Sequence, residues 1–152
     1  MSSQPNSAAR QFAAVPGTVR AARRFVEETL ASASVHSADA VLFTSELVSN
    51  AVHYAETEIE VVVKFDLPIV RIEVHDGFSM TEAFRVLVET ERDISDVDPN
   101  APNGRGLLII RGKAVGFGVI DKGERGKAVW FELAADSPSR STTAGPTGAT
   151  PA

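Results

Sequence analysis

A glutamate and an asparagine stand four residues apart in one apolar segment. Glu46 and Asn50 belong to the segment 44–52, whose apolar residues recur at helical spacing. On a helix, side chains four residues apart lie one turn apart on the same face. Their carboxylate and amide oxygens suit a divalent cation, and the carboxylate can also accept a proton. The spacing therefore predicts a metal-and-base pair, with an ordinary solvated helix face as the alternative interpretation.

A second candidate pair follows a segment with strand periodicity. Residues 69–74 alternate apolar and charged side chains, and Asp76 and Gly77 come shortly after them. A carboxylate at a strand end can accept a hydrogen bond from an exocyclic amine, and glycine lets the backbone approach a flat ring closely. Asp-Gly is also a common turn dipeptide, so an ordinary turn is the alternative interpretation.

A third candidate is a glycine pair in front of an apolar run. Gly104 and Gly106 flank Arg105, and Leu107 opens the run 107–115, which we interpret as a buried helix. Glycines before a helix start expose backbone N–H groups at the positive end of the helix dipole, an arrangement that suits a phosphate. The spacing matches neither a Walker loop nor Gly-x-Gly-x-x-Gly. A plain loop before a helix is the alternative.

The elements that must position these residues follow from periodicity. In chain order they are a strand at 11–15, helices at 19–31 and 37–54, strands at 59–65 and 69–74, a short helix at 80–90, a buried helix at 107–115, and strands at 117–121 and 127–133. Gly17 or Thr18 is expected near the cap of the first helix, and Ser37 is expected to cap the second. Paired strands separated by helices favour a two-layer α/β sandwich, with a mixed, mostly antiparallel sheet, over a parallel Rossmann sheet.

Composition excludes several classes of site. The chain has 152 residues, of which 43% are hydrophobic and 23% charged, as in a globular protein of one domain. With no cysteine, disulfides, thiolate metal sites and cysteine nucleophiles are excluded. The net charge of -5 argues against direct nucleic-acid binding. No apolar run is long enough to cross a membrane and no secretory signal is evident, so we expect a cytoplasmic protein.

Polar and proline-containing segments set the predicted domain boundaries. Residues 1–9 and 135–152 are poor in large apolar side chains, and we expect both to be disordered around a domain at 10–134. The segment 91–103 is polar and carries two prolines, so it cannot hold a long helix or strand. Together with 80–90 it is expected to form a lid.

The order of these motifs is more specific than any one of them. The blocks 46–52, 74–77, 103–110 and 126–133 resemble the motifs of the GHKL, or Bergerat-fold, ATPase superfamily. Within it, they resemble those of the small anti-sigma-factor serine/threonine kinases of the sporulation and general-stress type. The resemblance covers about 10–133 and implies the Bergerat ATP-binding fold, with ATP and Mg²⁺ as cofactors.

The resemblance assigns a role to each motif residue. It implies that Asn50 ligates Mg²⁺ and that Glu46 is the general base for the hydroxyl of a protein serine. It implies that Asp76 accepts a hydrogen bond from the adenine amine, with Gly77 beside the ring. The phosphate-binding helix start would consist of Gly104, Arg105, Gly106 and Leu107.

The sequence departs from the family pattern mainly on the adenine side. The expected Asp-x-Gly-x-Gly box reads Asp76-Gly77-Phe78-Ser79-Met80, Leu108 replaces a third glycine, Tyr54 stands in place of a histidine, and Ala128 represents an adenine-contacting threonine. These departures predict a weakened affinity for nucleotide more than a changed fold.

The resemblance implies an anti-sigma factor that binds a sigma factor and phosphorylates an anti-anti-sigma (STAS-type) protein, and it allows a homodimer. Two alternatives stay open. One is a non-catalytic or weakly nucleotide-binding interaction module of the same fold. The other is a stand-alone ATPase that transfers the phosphoryl group to water.

Overall fold

The computed structural model describes residues 6–54, 57–82, 84–85 and 104–135. Its elements are β1 (Ser7–Phe12), α1 (Thr18–Ser32), α2 (Ala38–Tyr54), β2 (Ile59–Asp66), β3 (Ile69–Asp76), α3 (Gly104–Lys113), β4 (Gly116–Asp121), a 3₁₀ turn (Gly123–Arg125) and β5 (Lys127–Ala134). The short helix expected at 80–90 and the lid lie mostly outside the described residues. The domain boundaries stay predictions.

The five strands form one sheet in the order β1-β2-β3-β5-β4. Every pairing between these described strands is antiparallel, so the predicted α/β sandwich is confirmed, with a sheet that is antiparallel rather than mixed. Two hairpins, β2–β3 and β4–β5, supply four of the strands. Because β5 inserts beside β3, the last strand of the chain borders the strand that ends at Asp76.

The core lies between the sheet and the helices. Alternate residues of the central strands face it, so that Val61, Ile72 and Phe131 are fully buried. The helices α1 and α2 pack on each other, and α2 also contacts β3 and α3. Phe43 of α2 meets the ring of Phe131 edge-on, with centroids 5.5 Å apart. This packing fixes α2 against the strand that carries Asp76.

Both predicted helix starts are confirmed. Gly17 is the N-cap residue of α1. The Ser37 hydroxyl accepts a hydrogen bond from the N–H of Ala40 at 3.1 Å, as expected of a residue that caps α2. The helix that carries Glu46 and Asn50 is therefore anchored at its first turn.

The first strand was predicted in the wrong place. It spans Ser7–Phe12 instead of 11–15, because this is the segment that pairs with β2, from Ser7 opposite Lys64 to Phe12 opposite Ile59. The residues after it turn toward α1: the N–H of Val15 bonds to Ala13, and the N–H of Thr18 bonds to Val15. Pairing with β2 therefore determines where this strand lies, and the local apolar pattern does not.

Candidate functional site

Helix α2 holds Glu46 and Asn50 at the border of its buried face. Leu47, Val48 and Ala51 are buried, Ser49 is exposed, and Glu46 and Asn50 are partly buried. The apolar residues of α2 fit the core, and this fit fixes the rotation of the helix about its axis. Both polar side chains therefore stand at the edge of the core.

Asn50 carries an unsatisfied polar atom. Its Oδ1 is buried and has no hydrogen-bond partner within the part of the chain that the structure describes. A buried acceptor left without a partner costs about 1–3 kcal/mol, so such an atom needs an explanation. A cation or a donor brought by a ligand would satisfy it. This is the property that a metal-ligating amide requires.

Glu46 is available on the same helix face. In the described ranges, its carboxylate makes no hydrogen bond or ion pair. Its neighbour Thr44, in contrast, is satisfied internally, since its hydroxyl donates to the carbonyl of Ala40 at 2.7 Å. A carboxylate without a partner can accept a proton from a bound hydroxyl group.

Asp76 is the last residue of β3 and points to the core side of the sheet. Its side chain is 4% exposed. Oδ1 accepts two hydrogen bonds, one from the backbone N–H of Phe78 at 2.8 Å and one from the ammonium of Lys127 at 3.0 Å. The structure thus gives Asp76 the expected place at a strand end, together with a cationic partner on β5.

Gly77 connects this strand end to the segment that follows α2. Its N–H donates to the hydroxyl of Thr57 at 2.8 Å, and a Cβ on Gly77 would lie 3.3 Å from Cβ of Thr57. Thr57 follows the end of α2 by three residues. This bond brings the Asp76–Gly77 turn next to the end of the helix that carries Asn50.

Gly104, Arg105 and Gly106 lie inside a helix, which corrects their predicted place in a loop before it. Gly104, Arg105, Gly106 and Leu107 are the first four residues of α3. The first four N–H groups of an α-helix have no intrahelical partner, so the donors expected for a phosphate are still present. Helix α3 also contacts α2, the helix that carries Glu46 and Asn50.

Two residues of this region, Lys127 and Thr57, were missed from sequence, and the pairing of β3 with β5 bears on the position given to Ala128. Ala128 was given the position of the adenine-contacting threonine, but it pairs with His75, whereas Lys127 pairs with Asp76. Directly paired residues share a face, so Lys127 is the side chain beside Asp76. Strand alternation with Val129 could have revealed this. Thr57 gave no signal in the sequence.

The described residues hold a cavity of about 380 Å³, but the candidate site residues do not line it. It opens between the end of α3, β4 and the segment after β3, and its lining includes Arg85, Arg111, Phe117 and Asp121. Glu46, Asn50 and Asp76 are not among its lining residues. A pair of oppositely charged side chains borders it, since Arg85 lies 2.9 Å from Asp121. The cavity therefore does not identify the candidate site.

A metal ion bound by the described residues would need further ligands. Within the described parts of the chain, no group of three or more His, Asp or Glu side chains is placed to hold a metal. Mg²⁺ is commonly bound by one or two protein oxygens together with substrate phosphates. Asn50 fits that use, since it offers a single buried amide oxygen.

Comparison with known protein families decides the classification. A model of the histidine kinase-like ATPase domain matches residues 12–133. The chain belongs to this family. The match spans α2, the end of β3, α3 and β5, so all the candidate residues lie in the histidine kinase-like ATPase domain. No curated protein gives a significant match.

Family membership confirms the superfamily and supports an ATP-binding regulatory function. The anti-sigma-factor kinase subtype, the partners and the roles of the individual residues stay predictions. No helix in the described portion of this ATPase domain has the length and apolarity to span a membrane.

Proposed function

We propose that this domain is an ATP-dependent serine/threonine protein kinase that acts as an anti-sigma factor and phosphorylates an anti-anti-sigma (STAS-type) protein. The proposal starts from the family, whose domains are ATPases. It extends the family assignment by the motif resemblance and by the properties of Glu46 and Asn50.

The observation that carries the proposal is the buried Oδ1 of Asn50, which lacks a partner among the residues that the structure describes. It lies one turn from Glu46, whose carboxylate makes no bond within the same residues. An oxygen that can ligate a cation and a carboxylate that can take a proton are two of the groups that phosphoryl transfer to a hydroxyl uses.

The residues of the chain would divide the work as follows. Asn50 offers its amide oxygen to Mg²⁺, and the first turn of α3 offers N–H donors to phosphate oxygens. Glu46 accepts the proton of the attacking serine hydroxyl of the protein substrate. Asp76 accepts a hydrogen bond from the exocyclic amine of the adenine. Bound Mg-ATP supplies the transferable phosphoryl group and part of the charge neutralisation.

Phosphoryl transfer from γ-labelled ATP to purified STAS-domain proteins of the source organism tests the kinase. We expect Glu46→Gln to lower the rate about 10²- to 10⁴-fold, as for loss of a general base, while Mg-ATP still binds. Glu28→Gln, at an exposed glutamate of α1, is the matched control and should keep the wild-type rate. An unchanged rate in Glu46→Gln would remove the assigned role.

One observation favours a second function, a regulatory module of this fold without catalysis. The Lys127 ammonium already bonds to Asp76, and Phe78 and Met80 stand where the family pattern has glycines. Both features weaken the expected binding site for adenine. If the domain is a regulatory module without catalysis, wild-type protein would bind its sigma factor equally well with and without Mg-ATP, and no STAS-domain protein would be labelled.

A further inference from the structure

Lys127 is a buried lysine held by an unusually complete set of contacts. Its side chain is 9% exposed. The ammonium donates to Oδ1 of Asp76 at 3.0 Å and to the carbonyl of Phe78 at 3.3 Å. It also lies 5.4 Å from the ring centroid of Phe78 and 5.2 Å from that of Phe84. A carboxylate, a carbonyl and two aromatic rings thus surround one cation.

The fold forces the lysine into this position. On β5, Val129, Phe131 and Leu133 face the core, so the alternation directs Lys127 to the same side, opposite Asp76. Lysine is almost never fully buried unless it is paired. Aromatic rings at about 5–6 Å add a cation–π attraction that grows when the cation is desolvated. The ion pair is therefore a built part of the sheet end.

The ion pair involves the carboxylate that is proposed to bind the adenine of a nucleotide. Oδ1 of Asp76 already accepts from the N–H of Phe78 and from Lys127. Hydrogen bonds to an ionised donor are stronger than those to a neutral amine. Oδ2 has no partner among the described residues, so an exocyclic amine can bind that oxygen, but it then binds a carboxylate whose charge the ammonium already neutralises in part.

We propose that Lys127 lowers the nucleotide affinity of the adenine subsite, because its ammonium occupies Oδ1 of Asp76 and weakens the carboxylate as an acceptor for a purine amine. This inference rests on the proposed nucleotide site. Lys127 acts as an internal competitor for the ligand, held in place by Phe78 and Phe84.

The test is calorimetric titration of Mg-ATP into the full chain, its Lys127→Met variant and its Lys122→Met variant. Methionine keeps the apolar stem of lysine and removes the charge. Lys122 is the matched control, since it lies in the same hairpin but bonds to His75 on the open face of the sheet, at 3.0 Å. We expect Lys127→Met to bind Mg-ATP about tenfold or more tightly than wild type, and Lys122→Met to bind like wild type.

The outcomes separate the inference from the proposed function. If wild type binds Mg-ATP and Lys127→Met binds equally or more weakly, Lys127 is not a competitor and the inference fails while the nucleotide site stands. If none of the three proteins binds, the proposed function fails and the inference fails with it. Binding by Lys127→Met alone supports the inference and contradicts the proposed kinase activity of the wild-type protein.

A second variant keeps the inference testable should Lys127→Met not fold. Lys127→Gln also removes the charge but keeps a polar side chain that can bond to Asp76 and to the carbonyl of Phe78. We expect it to bind Mg-ATP more tightly than wild type, while Lys64→Gln, at a half-exposed lysine away from this pair, binds like wild type. Equal or weaker binding by Lys127→Gln would overturn the inference.

Discussion

Asn50 shows how a single atom can indicate a function. An asparagine on the polar face of a helix is ordinarily solvated, and the helical spacing alone cannot distinguish that case from a ligand site. The structure places Oδ1 out of solvent, with no partner in the described ranges. A fold has no reason to bury an unpaired acceptor for stability. The unpaired amide oxygen therefore supports the proposed ligand role of Asn50, and Ser45 Oγ on the same helix is likewise buried without a described partner.

The stability of Asn50→Ala follows from the same observation. We expect its free energy of unfolding to stay within about 1 kcal/mol of wild type or to rise, because Oδ1 has no hydrogen bond to lose. Thr44→Ala on the same helix is the contrasting variant, since its hydroxyl bonds to Ala40. Urea denaturation compares them. A large loss in Asn50→Ala would mean that the amide has a structural partner.

The limits of sequence reasoning are visible at the residue scale. Glu46 and Asn50 could be predicted because helical spacing alone puts them on one face. Lys127 was missed because its position depends on which strand residue faces Asp76, and that depends on strand register. A shift of one residue in the register would turn the side chains of the strand to the opposite face. This one-residue difference decides whether Ala128 or Lys127 lies beside Asp76.

At the scale of elements, the start of β5 depends on one glycine. Gly126 has φ +107°, and a Cβ added there would lie 2.6 Å from the Cα of Gly77 and would overlap the carbonyl of Asp76. The close approach holds the end of β3 against the hairpin that carries Lys127. Only glycine tolerates both the backbone angle and the contact.

A pair of glycine substitutions should have opposite effects. We expect Gly126→Ala to lower the free energy of unfolding by more than about 2 kcal/mol, since the clash with backbone cannot relax easily. Gly112→Ala in α3, where an added Cβ meets nothing within 4 Å, should raise it by about 0.5–1 kcal/mol. Thermal denaturation of both variants is the measurement. Equal effects would contradict the assigned geometry.

The open face of the sheet carries a buried carboxylate that predicts acid sensitivity. Glu73 is 4% exposed. Burial would raise the pKa of its carboxyl, but hydrogen bonds from His75, Arg71 and Lys64 outweigh this and lower the pKa to about 2. Because the folded-state pKa lies below the ordinary value of 4.5, the carboxylate adds stability above about pH 4.5. That stability is lost as the pH falls toward 2.

Glu73→Gln should therefore flatten the acid side of the stability curve. We expect the variant to be less stable than wild type at pH 7, by at most about 3 kcal/mol. The difference should shrink as the pH falls from 4.5 toward 2. Urea unfolding at several pH values in that window measures it. A difference that stays constant across the window would show that the effect is one of packing instead of ionisation.

The bounds of the helices and strands were predicted well where the apolar periodicity was strong, and poorly where strand pairing determined their position. The bounds of α2, β2 and β5 agree with the sequence within two residues, because their apolar residues recur at the period of the element. The strand β1 was misplaced because a segment of small residues becomes a strand only through its partner β2. The start of α3 was placed too late because glycines weaken any helix prediction.

At the scale of the whole molecule, the insertion of β5 between β3 and β4 creates the candidate site. Each hairpin could be predicted from its local pattern, but the order of hairpins in the sheet depends on how they share one core. That order puts Lys127 beside Asp76, while α2 and α3 pack on the same side. The family match over residues 12–133 covers this entire arrangement.

Titration calorimetry of Mg-ATP into wild type and Asn50→Ala tests the central claim most directly, with Ser49→Ala as the control at an exposed neighbour on α2. We expect wild type and Ser49→Ala to bind with the same affinity, and Asn50→Ala to bind at least about tenfold more weakly, a loss of about 1.4 kcal/mol. Equal binding by Asn50→Ala would contradict the role of the amide. Absence of binding by every protein, with no nucleotide-dependent change in melting temperature, would contradict the nucleotide site itself.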